Sequence, residues 1–222
     1  MFDITSNTFI NILFIIGLGQ VLWLSSMLLR RGFEPDTLWQ ATAPLLSIWV
    51  LIWPVYSMSW SIWLPIYILG IVLLLIYSIA KPFCLNIQMI WGKPYPLAML
   101  SLISSLTIAM AFFQSIPEFG FALALTICLA FPLADLLDRI PNQTLGFPFH
   151  PQQTLLGHLG LLITSTFLCS WSIHLYHPMN WQLLIMATLI AAIAASLLRA
   201  LCPKFWNLPL STLAMGWILW LL

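Results

Sequence analysis

The chain has 222 residues, of which 62% are hydrophobic and only 6% charged, with a formal net charge of +1. An ordinary soluble domain carries about 25% charged residues, so this composition excludes a surface coated for water, and the small net charge excludes the basic footprint that nucleic acid requires. What remains is an all-α, polytopic integral membrane helix bundle. At about 20 residues per spanning helix the chain holds about eight spans, leaves no room for a soluble domain, and reads as one transmembrane domain over residues 1–222.

In chain order, apolar runs broken by Pro, Gly, Asn or charge predict helices at 9–29, 38–55, 59–80, 95–113, 118–137, 154–173, 181–198 and 206–222. The first run, Phe9 to Leu29, follows Asp3 rather than basic residues and reads as an uncleaved span, not a secretory signal. The second and third are separated only by the stretch around Tyr56 to Ser59 and should form a tight hairpin. The last is short, which leaves a seven-span bundle as the alternative. Ala191, Ala192, Ala194, Ala195 and Ser196 give the seventh run a small-residue packing face. Cys84, Cys128, Cys169 and Cys202 lie far apart in or beside apolar runs and read as small hydrophobes.

Charge placement gives an orientation. Arg30, Arg31, Lys81, Lys93, Arg139, Arg199 and Lys204 all fall in odd-numbered connections, and the even ones hold no basic residue. Cytoplasmic connections collect Lys and Arg, so these loops are predicted cytoplasmic and both termini lie on the opposite side. Trp53, Trp60, Trp91, Trp181 and Trp206 stand at predicted span ends, where amphipathic rings anchor at headgroup level.

The six acids can be weighed one by one. Asp3, Glu34, Asp36 and Glu118 fall in termini or connections and read as solvated. Asp135 and Asp138 close the fifth run in Phe131-Pro-Leu-Ala-Asp-Leu-Leu-Asp-Arg-Ile140, and their spacing of three puts both on one helix face. A carboxylate deep in a span costs about 2.5–3.5 kcal/mol and usually marks function; the cost falls at the membrane edge. Two readings follow: a polar helix end with Asp138 beside Arg139, or a hard-cation site in which Asp135 and Asp138 hold Mg²⁺ against substrate phosphates. The next connection leads into the sixth helix with Thr154 as its expected N-cap. Free amides and the helix dipole there favour a phosphate. Gly157 serves either close backbone approach or packing together with Gly160. His174 and His177, three apart on the predicted outer side, make at most a two-ligand metal pair.

The loop Pro148-Phe-His-Pro-Gln-Gln-Thr-Leu-Leu-Gly157 resembles a segment of the polyprenol, phytol and dolichol kinases, in which a Pro-aromatic-Asn stretch leads to Lys-Ser/Thr and then Gly. Upstream, Gly92-Lys-Pro-Tyr-Pro96 resembles the Gly-Pro-Leu-Tyr-Tyr that opens a span in phytol kinases. Gln114-Ser-Ile-Pro-Glu118 resembles their Glu-Ser-Pro turn, and Ala134-Asp135 with Arg139 resembles their Ala-Asp followed by Gly-Arg-Arg. Order and spacing agree, with small gaps, over residues 90–165. The resemblance implies a phosphotransferase in the bilayer that moves a phosphoryl group from CTP, or another nucleotide, to the hydroxyl of an isoprenoid alcohol. It implies Asp135 and Asp138 as catalytic residues and Mg²⁺ ligands. Arg139, Thr154, Gly157 and His150 would then lie on the nucleotide and its phosphates.

Related loops occur in phosphatidate cytidylyltransferases, so CTP-dependent transfer to a lipid phosphate is a second implied reaction. The chain departs from the kinase pattern at Gln153, which stands where the family carries Lys. It also lacks a Gly-Asp-Gly ahead of Ala134-Asp135, and Thr37-Leu-Trp-Gln-Ala41 replaces an Arg-Lys-x-x-His signature. These departures keep open a catalytically lapsed relative that serves as a membrane scaffold or assembly subunit. A transporter is disfavoured by the lack of charge in the other predicted spans.

Overall fold

The computed structural model describes residues 4–32, 35–56, 59–80, 89–90, 93–140, 146–147, 150–203 and 206–221. Among them the chain is helical apart from two short antiparallel hairpins. The helices are α1 (Ile4–Arg30), α2 (Pro35–Leu51), α3 (Ser59–Ala80), α4 (Tyr95–Ser115), α5 (Pro117–Leu137), α6 (Leu155–Tyr176), α7 (Trp181–Leu201) and α8 (Asn207–Leu221). β1 (Met89–Ile90) pairs with β2 (Lys93–Pro94) ahead of α4, and β3 (Gly146–Phe147) pairs with β4 (His150–Thr154) between α5 and α6. Among the described residues α5, α6 and α7 are long and apolar enough to cross a membrane. Their 21 or 22 residues extend for about 32 Å, against a hydrocarbon core of about 30 Å.

The chain divides into two compact units, Met1–Ile103 and Ser104–Leu222, with the boundary inside α4. In the first, α1 packs on α2 and α3. Asn11, buried in α1, donates from Nδ2 to the Ser61 carbonyl at 3.2 Å and accepts from the Tyr56 hydroxyl at 2.8 Å, so its polar groups are satisfied in an apolar setting. Trp53, expected at the headgroups, is fully buried. The one-turn helix Trp53–Val55 folds its ring edge-on against Trp49 at 5.2 Å, and Trp49 in turn meets Phe14 at 4.8 Å.

In the second unit α5 is the most enclosed of the three long helices and packs against α6 and α8. α6 packs on α7, and α7 on α8. Small residues set the last contact: Ala191, Ala192 and Ala195 are fully buried, and the Ser211 hydroxyl of α8 donates to the Ala195 carbonyl at 3.0 Å. The outward faces of α6 and α7 are apolar, with Ile163, Phe167, Leu183, Met186, Ile190 and Leu197 all exposed. An apolar exterior around a partly polar interior is the arrangement a lipid solvent requires.

α5 is not uniform. Pro117 opens it, and Thr126–Ala130 form a π-helical turn in which the Phe131 N–H donates to the Thr126 carbonyl. Pro132 follows at once, where a missing N–H would otherwise break the helical ladder. The extra residue of a π turn rotates all that follows by about 100° relative to an unbroken helix. Asp135 and Asp138 lie beyond this turn, so their direction depends on it.

Glycine substitutions test this packing. A Cβ at Gly120 would collide with the backbone of Phe113, whereas a Cβ at Gly19 meets open space. Gly120→Ala is expected to destabilise the protein by about 1–3 kcal/mol or more. Gly19→Ala is expected to be neutral or stabilising by up to about 1 kcal/mol. Unfolding in detergent micelles monitored by circular dichroism measures both.

Candidate functional site

A cluster of polar groups of the second unit forms where α5 ends, α6 begins and α7 ends. Asp138 follows α5, with its N–H on the Ala134 carbonyl at 3.0 Å. Its Oδ1 accepts from the Thr154 N–H at 2.8 Å and from the Thr154 hydroxyl at 2.9 Å. Thr154 has the extended backbone of an N-cap, and its Oγ1 accepts from the Gly157 N–H at 3.1 Å. The expected cap is therefore present, but its hydroxyl and backbone amide are spent on a carboxylate of this chain. Gly157 is buried, and a Cβ there would collide with the Asp138 carboxylate and the Ala134 carbonyl. A Cβ at Gly160 would collide with Leu137. Both glycines thus let α6 approach the end of α5.

The cation at this site is Arg199, which extends α7 one turn beyond its predicted end and is only 2% exposed. Its Nη2 donates to Asp135 Oδ1 at 2.6 Å and to Asp138 Oδ2 at 2.7 Å. Asp138 is 9% exposed at its side chain and Asp135 36%, so the cluster opens to its surroundings through Asp135. Arg199 Nη1 is buried and has no hydrogen-bond partner among the described residues. Arg139, the expected counter-charge, is exposed on the turn after Asp138.

A second chain of bonds holds Arg199 from its backbone. The Arg199 carbonyl would be bonded in a continuing helix by the N–H of residue 203, but Pro203 has none. Gln153 fills the gap, donating from Nε2 to that carbonyl at 3.0 Å. Its Oε1 lies 2.9 Å from His158 Nε2, and His158 Nδ1 lies 2.7 Å from the Ser196 hydroxyl. Since a carbonyl only accepts, Gln153 turns its NH₂ to Arg199 and its oxygen to His158. A neutral His158 ring then carries its hydrogen on Nε2 and accepts from Ser196 at Nδ1. Gln153, His158 and Ser196 are all buried.

The sequence expectations divide accordingly. Asp135, Asp138, Thr154 and Gly157 come together. His150 pairs through its backbone with Phe147, and its side chain lies outside the described residues. The loop residues 141–145 and 148–149, with Gly92, Lys81 and Lys204, also lie outside them. Asp135 and Asp138 as they stand do not fit a bridging Mg²⁺: the Arg199 guanidinium lies between them and supplies the neutralising charge. Among the described residues no group of three or more His, Cys, Asp or Glu side chains could hold a metal. Glu118, read as solvated, is in the first turn of α5, 12% exposed at its side chain and 3.0 Å from His177 Nε2. His174 packs on Trp181, with ring centroids 4.4 Å apart. Cys128, Cys169 and Cys202 are free thiols.

No family model, curated protein or solved structure matches the chain. The class that the fold and the site define is a helical protein in which three described helices are long and apolar enough to cross a membrane, with a buried carboxylate–guanidinium cluster at one helix end. Its function is argued from the chemistry of that cluster.

Removing one member of a buried ion pair strands the other. Arg199→Ala, which leaves Asp138 uncompensated, is expected to cost about 3–5 kcal/mol. Gln153→Ala, which orphans the Arg199 carbonyl and removes a partner of His158, is expected to cost about 1–3 kcal/mol. Asp135→Asn, at the open edge, should cost much less than either. Chemical unfolding of the three variants in one detergent ranks them.

Proposed function

We propose that the chain is a membrane-embedded lipid-alcohol kinase of the polyprenol and phytol kinase type, transferring a phosphoryl group from CTP to the terminal hydroxyl of an isoprenoid alcohol. In this reading all eight helices cross the membrane, the basic connections are cytoplasmic and both termini lie on the other side. The observation that carries it is that Asp138 and Thr154, sixteen residues apart and both singled out by the resemblance, join in one cluster with Asp135. Phosphoryl transfer asks the protein mainly for positioning and charge balance. Asp135, the open carboxylate, faces the hydroxyl and takes its proton as the alcohol oxygen bonds to the terminal phosphorus and CDP leaves. The first-turn amides of α6 that Asp138 and Thr154 do not already hold would meet the nucleotide phosphates, with Arg139 countering their charge. Asp135 and Asp138, paired to Arg199, would not hold Mg²⁺ between them; bound with a nucleotide, the ion would supply charge neutralisation on the phosphates.

One observation favours a second reading. Both oxygens of Asp138 are committed within the chain, to Thr154 and to Arg199. That is the arrangement expected of a lapsed relative in which the cluster is a structural clasp.

Purified protein with labelled CTP, Mg²⁺ and a panel of prenyl alcohols separates the two. The kinase reading expects label in the lipid and at least a ~100-fold loss of rate in Asp135→Asn. No label in any lipid removes that reading. A CMP group on a lipid phosphate with release of pyrophosphate identifies a cytidylyltransferase instead.

A further inference from the structure

Helix α1 carries two amides in its apolar run, and they are placed differently. Asn11, on the face that packs on α2 and α3, is satisfied by Ser61 and Tyr56. Gln20 follows nine residues later, and at about 100° per residue that sets it on the opposite face of the helix. It is exposed there and makes no hydrogen bond among the described residues. Phe9, Ile12, Leu13, Ile16 and Trp23 are exposed on the same side, so the amide projects from an apolar strip. Where α1 crosses the bilayer, Gln20 stands at the middle of the span. Phe9 lies eleven residues before it and Leu29 nine residues after, which is about 17 and 14 Å along the axis. A glutamine side chain cannot reach a headgroup layer from that depth. An amide left facing hydrocarbon is costly, and polar side chains at such depth are met by polar side chains of neighbouring helices.

We propose that this face of α1 is the contact between two copies of the chain, closed by a reciprocal Gln20–Gln20 amide pair. The proposal rests on the reading in which α1 spans the membrane and is independent of the kinase chemistry. Three features commit the face to a second copy. Copies inserted with one orientation run their α1 helices parallel, which brings identical residues to identical depth. An amide both donates and accepts, so across a twofold axis each Gln20 gives a hydrogen from Nε2 to Oε1 of the other. Gly19 adjoins it on the exposed side, and a Cβ there meets nothing within 4 Å in this chain. The backbone of α1 is therefore open to close approach from outside, as small residues permit at contacts between membrane helices.

The test is energy transfer between donor-labelled and acceptor-labelled copies of the full chain in liposomes, read as the protein is diluted with lipid. The proposal expects transfer above that of an unrelated membrane protein at the same density, lost on dilution at a definite midpoint. Gln20→Leu removes the amide and keeps the face apolar, and should move that midpoint to about 10-fold higher protein density. Gly19→Leu should shift it in the same direction by blocking close approach. Both substitutions alter only the outer face of α1, so the fold should be retained, which circular dichroism checks. Protease protection in sealed vesicles tests the span itself, with one epitope tag at the N-terminus and another inserted after Gly32; a spanning α1 puts the two tags on opposite sides. Opposite tags with no transfer above the control, or with Gln20→Leu at the wild-type midpoint, overturn the paired face and leave the span standing. Tags on the same side overturn the span and the paired face together.

Discussion

Taking a guanidinium out of water carries a penalty of several kcal/mol, and α7 buries one in its last turn. The penalty is offset only because two carboxylates from α5 meet the same nitrogen at 2.6 and 2.7 Å. Low dielectric makes the arrangement all-or-none. With its partners in place the Arg199 charge is tolerated, and without them it opposes the packing of α7 on α6. Charge balance is thus the constraint on which the polar end of the second unit depends, and the local features around it serve to meet it.

Those features can be followed outward. The π turn at Thr126–Ala130 and the following Pro132 set the direction of the two aspartates. Asp138 then does two things with two oxygens, holding Arg199 with one and drawing in the N-terminus of α6 through Thr154 with the other. Gly157 permits that approach because any Cβ would occupy the space of the carboxylate. On the far side, Pro203 leaves the Arg199 carbonyl without its helical partner, and Gln153 supplies one. Gln153 suits this position because its amide both donates and accepts, which a lysine cannot do.

Much of this was legible in the sequence, for physical reasons that also explain what was not. Helix positions follow from apolar runs and breakers, and Asp135, Asp138, Thr154 and Gly157 were visible because charge and capping residues are rare in such a chain. Arg199 was misplaced in a connection, since a base next to a run of leucine and alanine reads as a loop charge. Nothing local reveals that carboxylates some sixty positions earlier wait to pair with it. His158 was missed, and Ser196 was read only as part of a small-residue packing face, because lone polar residues inside apolar helices are usually satisfied in the core, as these are. Glu118 read as solvated for the complementary reason, its partner His177 standing at the other end of α6. Trp53 was assigned to the headgroups from its position alone, and the turn at Trp53–Val55 carries it inward. Three-dimensional pairing at long sequence separation is the information a one-dimensional pattern omits.

The functional account depends on the same pairing, because it treats Arg199 as the resident cation of the aspartate pair. The most direct measurement is a double-mutant cycle between Arg199 and Asp138, using Arg199→Gln and Asp138→Asn singly and together, with unfolding free energies determined in one detergent. The account predicts a coupling energy of about 1.5–3 kcal/mol, within the range of residues that share one ion-pair network. Additive effects, with coupling near zero, would contradict it and leave the aspartates free to serve another cation.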